Sequence, residues 1–120
     1  MRYLNKYKGV IPAFYACYDE KGDISPRGVR ELTEYFVKKG VKGVYVNGSS
    51  GECIYQSVED RKTVLENVMK AAEGRLTVIA HVACNNTRDS MELAEHAESL
   101  GADAIAAIPP IYFRLPEHAI

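Results

Sequence analysis

The five residues Gly48-Ser49-Ser50-Gly51-Glu52 set two hydroxyls between two glycines, directly after the apolar run 43–47 (GVYVN). Glycines let the backbone turn sharply, and adjacent amides that converge on one point make a small nest for an anion such as a carboxylate. The same composition also suits a plain serine-rich link between a strand and a helix. Glu52 is expected to hold this turn by hydrogen bonds to nearby amides rather than to serve as a general base. Tyr112 follows another apolar run, 104–108, and taken alone reads as an aromatic capping a strand end.

Other polar residues point less clearly to chemistry. His81 lies near the end of the run 76–84, where a histidine satisfied by hydrogen bonds in a packed interior is the expectation. Tyr15, Tyr45 and Tyr55 read as space-filling, although Tyr45 and Asn47 stand where they could line a pocket mouth. His96 and His118 fall in helical patterns and are expected to be solvated. The lysines lie on helices, turns or strand starts, and none is placed to be desolvated enough for imine formation. The acidic loop 19–23 lacks the ligand spacing of a calcium site and reads as an exposed turn. Cys17, Cys53 and Cys84 are odd in number, far apart and without C-x-x-C spacing, which suggests neither a disulfide framework nor a zinc site.

The elements that must position these residues follow from hydrophobic period and punctuation. Apolar, β-rich runs alternate with helical patterns four times, with no linker or low-complexity stretch between them. The spacing predicts strands over 7–15, 43–47, 76–84 and 104–108. A first helix is capped by Ser25, starts at Pro26, repeats Val29, Leu32 and Phe36, and stops at Gly40. A second opens at Ser57 with Asp60 three residues on, and its stripe is Val58, Val64, Leu65, Val68, Met69 and Ala72. A third runs from about Thr87 to Gly101 with Met91, Ala94, Ala97 and Leu100 as its apolar face, and a fourth is expected to begin near Pro116.

Strands apolar on both faces, each followed by a helix, imply a parallel sheet covered by helices. The helix-ending glycines at 40, 74 and 101 repeat at about the interval that a (β/α)8 TIM barrel spends on each unit. The fold class is therefore α/β, with residues 1–120 expected to supply about the first four βα units, the N-terminal half of a single (β/α)8 barrel domain. A doubly wound sheet is the rival, but no G-x-G-x-x-G follows the first strand. Four strands alone would leave unpaired edges and an apolar inner face exposed.

The turn at 48–52, the segment Ile79-Ala80-His81-Val82-Ala83-Cys84 and the segment 108–116 (IPPIYFRLP) together resemble the lyase branch of the dihydrodipicolinate synthase and N-acetylneuraminate lyase family. The resemblance implies a class I aldolase, in which pyruvate is held as a Schiff base on a lysine and sialic acid is cleaved to N-acetylmannosamine and pyruvate. It implies no metal and no cofactor. It assigns the pyruvate carboxylate to Ser49 and Ser50 within the turn bounded by Gly48 and Gly51, and a proton relay to Ser49 and to Tyr112, the latter reaching into a neighbouring subunit. A homo-oligomer, usually a tetramer, is implied. The imine lysine and a proton-transfer tyrosine of the family have no counterpart in these residues. Ser49-Ser50 and Ile111-Tyr112-Phe113 depart from the two threonines and paired tyrosines common among the synthases, which favours the lyase branch. Dihydrodipicolinate synthase, a 2-keto-3-deoxy sugar acid aldolase, or a noncatalytic half-barrel are the alternatives.

Composition narrows the partners. A formal charge of -1, without a long run of like charges, argues against nucleic acid. No apolar run approaches the roughly 20 residues needed to span a bilayer, and residues 1–9 lack a signal-peptide core. A small-molecule substrate and a cytoplasmic location are the expectations.

Overall fold

Ser25 Oγ accepts the Gly28 amide at 3.0 Å and Pro26 takes the first helical position, so helix α1, Pro26–Lys39, begins where its sequence says it should. Gly40 ends it at φ 73°, donating its amide to the Val37 carbonyl. The computed structural model describes residues 2–111 and 114–119. Strand β1, Gly43–Val46, leads to helix α2, Val58–Ala72, and there Ser57 and Asp60 cap each other reciprocally as expected of a capping box. Strand β2, Thr77–His81, is followed by helix α3, Thr87–Ser99, whose first turn is held by Asn86 accepting the Asp89 amide at 2.8 Å. Strand β3 is Ala104–Ala106.

The three strands are parallel and lie in chain order, with Tyr45 opposite Ile79 and Ile79 opposite Ala104. Val44, Val46, Val78 and Ala80 point to one face and are buried under α1, α2 and α3, joining Phe14, Val29, Val64, Leu65, Val68, Leu93 and Ala97 in one continuous core. Ile105 shares that face but stays 53% exposed, because none of the described helices covers the β3 end of the sheet. Tyr45, Ile79, Ala104 and Ala106 are only half-buried on the opposite face. At the amino ends of the strands, Asp103 accepts the Val78 amide and pairs with Lys6 at 3.0 Å. Tyr7 adds a bond from its hydroxyl to the Asp103 carbonyl, and the 3-10 turn Arg2–Tyr7 is thereby closed against the sheet.

Four expectations are corrected. Residues 7–15 do not form a continuous strand; the extended chain after Gly9 lies beside β1 through a single parallel bridge, Ala13 to Tyr45. The amides of Lys42 and Tyr45 donate to the Val10 and Pro12 carbonyls and Phe14 returns a bond to Tyr45, but Pro12 has no amide to extend the ladder. The buried face of α3 is Leu93 and Ala97, while Met91 is 58% exposed, since two residues carry it about 200° around the helix from Leu93. Ala94 and Leu100 do pack against the core. Tyr15 and Tyr55 do not fill space but are exposed, Tyr15 because it follows the buried Phe14 on the alternate side of extended chain. Beyond Pro116 only a 3-10 turn, Glu117–Ala119, is formed among the described residues.

A sheet whose neighbours follow chain order, 10–14 then β1, β2 and β3, is the running order of a barrel wall rather than of a doubly wound sheet, which reverses direction.

Candidate active site

In parallel barrels ligands meet the carboxyl ends of the strands. At that end of β1 the chain reverses through Asn47, at φ 62°, into a 3-10 turn over Ser49–Gly51, and leaves through Glu52 at φ 59°. The Gly51 and Glu52 amides bond back to the Gly48 and Ser49 carbonyls at 3.0 Å. The Ser49 and Ser50 amides occupy the first two positions of that turn, where no intrahelical acceptor exists, and both serine side chains are exposed. Two amides without a partner among the described residues, and two hydroxyls, at one corner form the donor set that a carboxylate requires.

The glycines of this turn serve a different purpose from the expected one. Neither Gly48 nor Gly51 has a positive φ; the left-handed positions fall on Asn47 and Glu52. What excludes a side chain is close approach, since a Cβ on Gly48 would stand 2.7 Å from the Tyr45 ring and one on Gly51 2.9 Å from the Phe14 carbonyl. Glu52 does not bond nearby amides. It accepts the Tyr18 hydroxyl at 2.6 Å, and the turn is held instead by Gln56, which donates from Nε2 to the Gly51 carbonyl at 2.9 Å.

Asn47 is 4% exposed, so it does not line a pocket mouth. Its Nδ2 donates to the Arg61 carbonyl at 2.9 Å, and its own carbonyl lies 2.9 Å from Nδ1 of His81. A carbonyl only accepts, so His81 carries its proton on Nδ1. His81 is 3% exposed and only half satisfied, because its buried Nε2 has no partner among the described residues. Burial, reinforced by the charge of Arg61 and opposed by the bond to Asn47, holds its pKa below the ordinary histidine value. The Tyr45 ring lies 6.1 Å from that of His81, and burial raises the Tyr45 hydroxyl above its usual pKa. His96, expected to be solvated, is half-buried against Glu66 at 2.9 Å, whereas His118 is exposed.

Sequence reasoning passed over Arg61. It is 2% exposed on α2, and its guanidinium donates to the carbonyls of His81 at 2.6 Å and Ala83 at 2.8 Å. The available signal was a charge set inside the apolar stripe of that helix, three residues after Val58 and before Val64. Tyr112 lies outside the described residues; its neighbour Ile111 donates its amide to Asn85 Oδ1 at 3.2 Å, which ties the segment after β3 to the loop after β2.

A cavity of about 240 Å³ opens beside these groups, with Cys53, Ile54, Arg61, His81, Asn85 and Ile111 among its walls. A larger one, about 710 Å³, lies at the amino ends of the strands among Lys6, Lys42, Arg75 and Asp103, away from the serine turn. None of the lysines is buried, and hydrogen bonds from Lys6 to Asp103 and from Lys62 to Glu92 raise their pKa values. An imine-forming lysine needs the opposite shift.

Residues 6–120 match the model of the dihydrodipicolinate synthetase family. The chain is 84% identical along its whole length to the N-acetylneuraminate lyase of Mediterraneibacter gnavus, and 43% identical over 90% of its length to that of Rhizobium meliloti. It spans 38% and 36% of those relatives. Among solved structures, a catalytic-lysine mutant of the Ruminococcus gnavus sialic acid aldolase superposes with a TM-score of 0.95 at 85% identity, over 98% of this chain and 38% of that one. The sheet is accordingly part of a (β/α)8 barrel wall. Serine turn, running strand order and a family match over nearly every residue agree, and the chain belongs to the dihydrodipicolinate synthetase family.

Proposed function

We propose that this chain carries the pyruvate-carboxylate site of a Schiff-base aldolase that cleaves sialic acid reversibly to N-acetylmannosamine and pyruvate. The observation that carries the reading is the Ser49–Gly51 turn, whose two leading amides have no intrahelical acceptor and whose hydroxyls are exposed at the carboxyl end of β1. The Ser49 and Ser50 amides and hydroxyls hold the carboxylate, in the turn bounded by Gly48 and Gly51. Ser49 Oγ passes a proton along a relay that Tyr112 extends from a neighbouring subunit. A homotetramer in the cytoplasm is part of this reading.

The covalent step requires an amine. A lysine beyond these residues condenses with the keto carbon and expels water, and the protonated imine then accepts the electron pair released when the carbon–carbon bond breaks. The half of the site described here fixes the substrate and orients its keto carbon. The partly exposed lysines with raised pKa values support placing the nucleophile elsewhere.

Ser49-Ser50, in place of paired threonines, favours the lyase over the synthase branch. The test is intact-mass spectrometry of the full-length protein after pyruvate and borohydride, followed by turnover with N-acetylmannosamine. One reduced pyruvate per chain and consumption of N-acetylmannosamine are expected. An adduct without that consumption would move the assignment to another aldehyde. No adduct would leave a noncatalytic barrel.

A further inference from the structure

Asn47 is the first residue beyond β1, and its φ of 62° reverses the chain into the serine turn. A non-glycine residue there is strained, and asparagine tolerates it better than most. Two buried bonds grip it from opposite sides. Its side chain donates to the Arg61 carbonyl on α2, and its carbonyl accepts Nδ1–H of His81 at the end of β2, each at 2.9 Å. Arg61 closes the circuit, since its guanidinium donates to the carbonyl of His81 at 2.6 Å. Asn47, His81 and Arg61 are all at least nineteen-twentieths buried. From Asn47 to Ser49 only Gly48 intervenes, and the Tyr45 ring stands so close that a Cβ on Gly48 would lie 2.7 Å from it.

We infer that Asn47 and His81 are positioning residues for the reaction proposed above, setting the Ser49 and Ser50 amides through the Asn47 peptide. The inference rests on the reading of that turn as the carboxylate site. Networks of buried polar groups in which each bond fixes the next define one geometry, which an apolar contact would not. Because a carboxylate is bound alike in ground and transition states, misplaced amides raise the pyruvate KM more than they lower kcat.

The test uses the full-length protein with His81→Leu, His81→Asn, Asn47→Ala and Asn47→Gly. Asparagine at 81 places a donor where Nδ1 now stands, and glycine at 47 readopts the left-handed backbone. His81→Leu and Asn47→Ala are expected to raise the pyruvate KM about tenfold with a smaller change in kcat, as displaced binding groups do. His81→Asn and Asn47→Gly are expected to recover most of that loss at a comparable melting temperature. Folded His81→Leu and Asn47→Ala proteins with an unchanged KM would overturn the inference, as would His81→Asn losing as much as His81→Leu. A wild-type protein that forms no borohydride adduct would end both this inference and the proposed function; an adduct with unaffected variants would end the inference alone.

Discussion

Tyr18 donates its hydroxyl to Glu52 Oε2 at 2.6 Å, joining the loop before α1 to the exit of the serine turn 34 positions later. Both side chains are exposed, so the bond contributes at most about 1 kcal/mol. Tyr18→Phe is expected to lower the melting temperature slightly. The bond to Glu52 raises the Tyr18 pKa, so the contribution is present below the ordinary tyrosine value near 10 and is lost as pH rises through the raised one. Absorbance titration should show late-ionising tyrosines, Tyr18 beside the half-buried Tyr45, and Tyr18→Phe should remove one of them. Identical titrations would mean the pair does not form in solution.

Gly48→Ala tests the close approach of the turn to Tyr45. The added Cβ would lie 2.7 Å from Cε1 of that ring, so ring or turn must move, at a cost of about 1–3 kcal/mol. Tyr45→Val should relieve part of this, giving a favourable coupling in a double-mutant cycle read by thermal denaturation. Additive effects would show that the ring is not what excludes a side chain at 48.

What could be read from the sequence was local. Ser25-Pro26, Ser57 with Asp60, and Gly40 act within one helical turn, and each sits in the structure where its chemistry places it. The running order of parallel strands was equally legible, because it follows from repeating units. The misreadings around the candidate site were long-range. Glu52 finds its partner 34 positions away, and Arg61 donates to carbonyls 20 and 22 positions on, which no helical period encodes. The glycines of the turn were located correctly for the wrong reason, since the tight contacts with Tyr45 and Phe14 exist only after folding. Around the proposed site, the exposed turn that carries Ser49 and Ser50 was legible, while the Asn47–His81–Arg61 circuit beside it was not.

Ser49→Ala separates binding from folding. Ser49 is exposed, so the substitution should leave the melting temperature nearly unchanged. On the proposed reading it removes, in the full-length protein, a polar contact to the carboxylate and a link in the relay, and kcat/KM for pyruvate should fall by the equivalent of about 1–3 kcal/mol. Steady-state kinetics in the condensation direction measures this directly. Unchanged kinetics would remove Ser49 from the site.

His81 makes a pH prediction with a definite sign. Desolvation lowers its pKa, with the Arg61 guanidinium on α2 adding to the effect and the Asn47 bond opposing it, while Tyr45 on β1 faces it uncharged at neutral pH. The unfolded chain therefore binds a proton that the native state refuses in the window between the depressed value and the ordinary one near 6.5. Stability from neutral His81 is present in full above the ordinary value and is lost as pH falls towards and through the depressed one. Thermal melts of the full-length protein from about pH 8 to 5 should show a steeper decline for wild type than for His81→Asn, the difference amounting to no more than one proton. Parallel curves would mean that native His81 accepts the proton on Nε2, and that its neutral Nδ1–H form is not what holds Asn47.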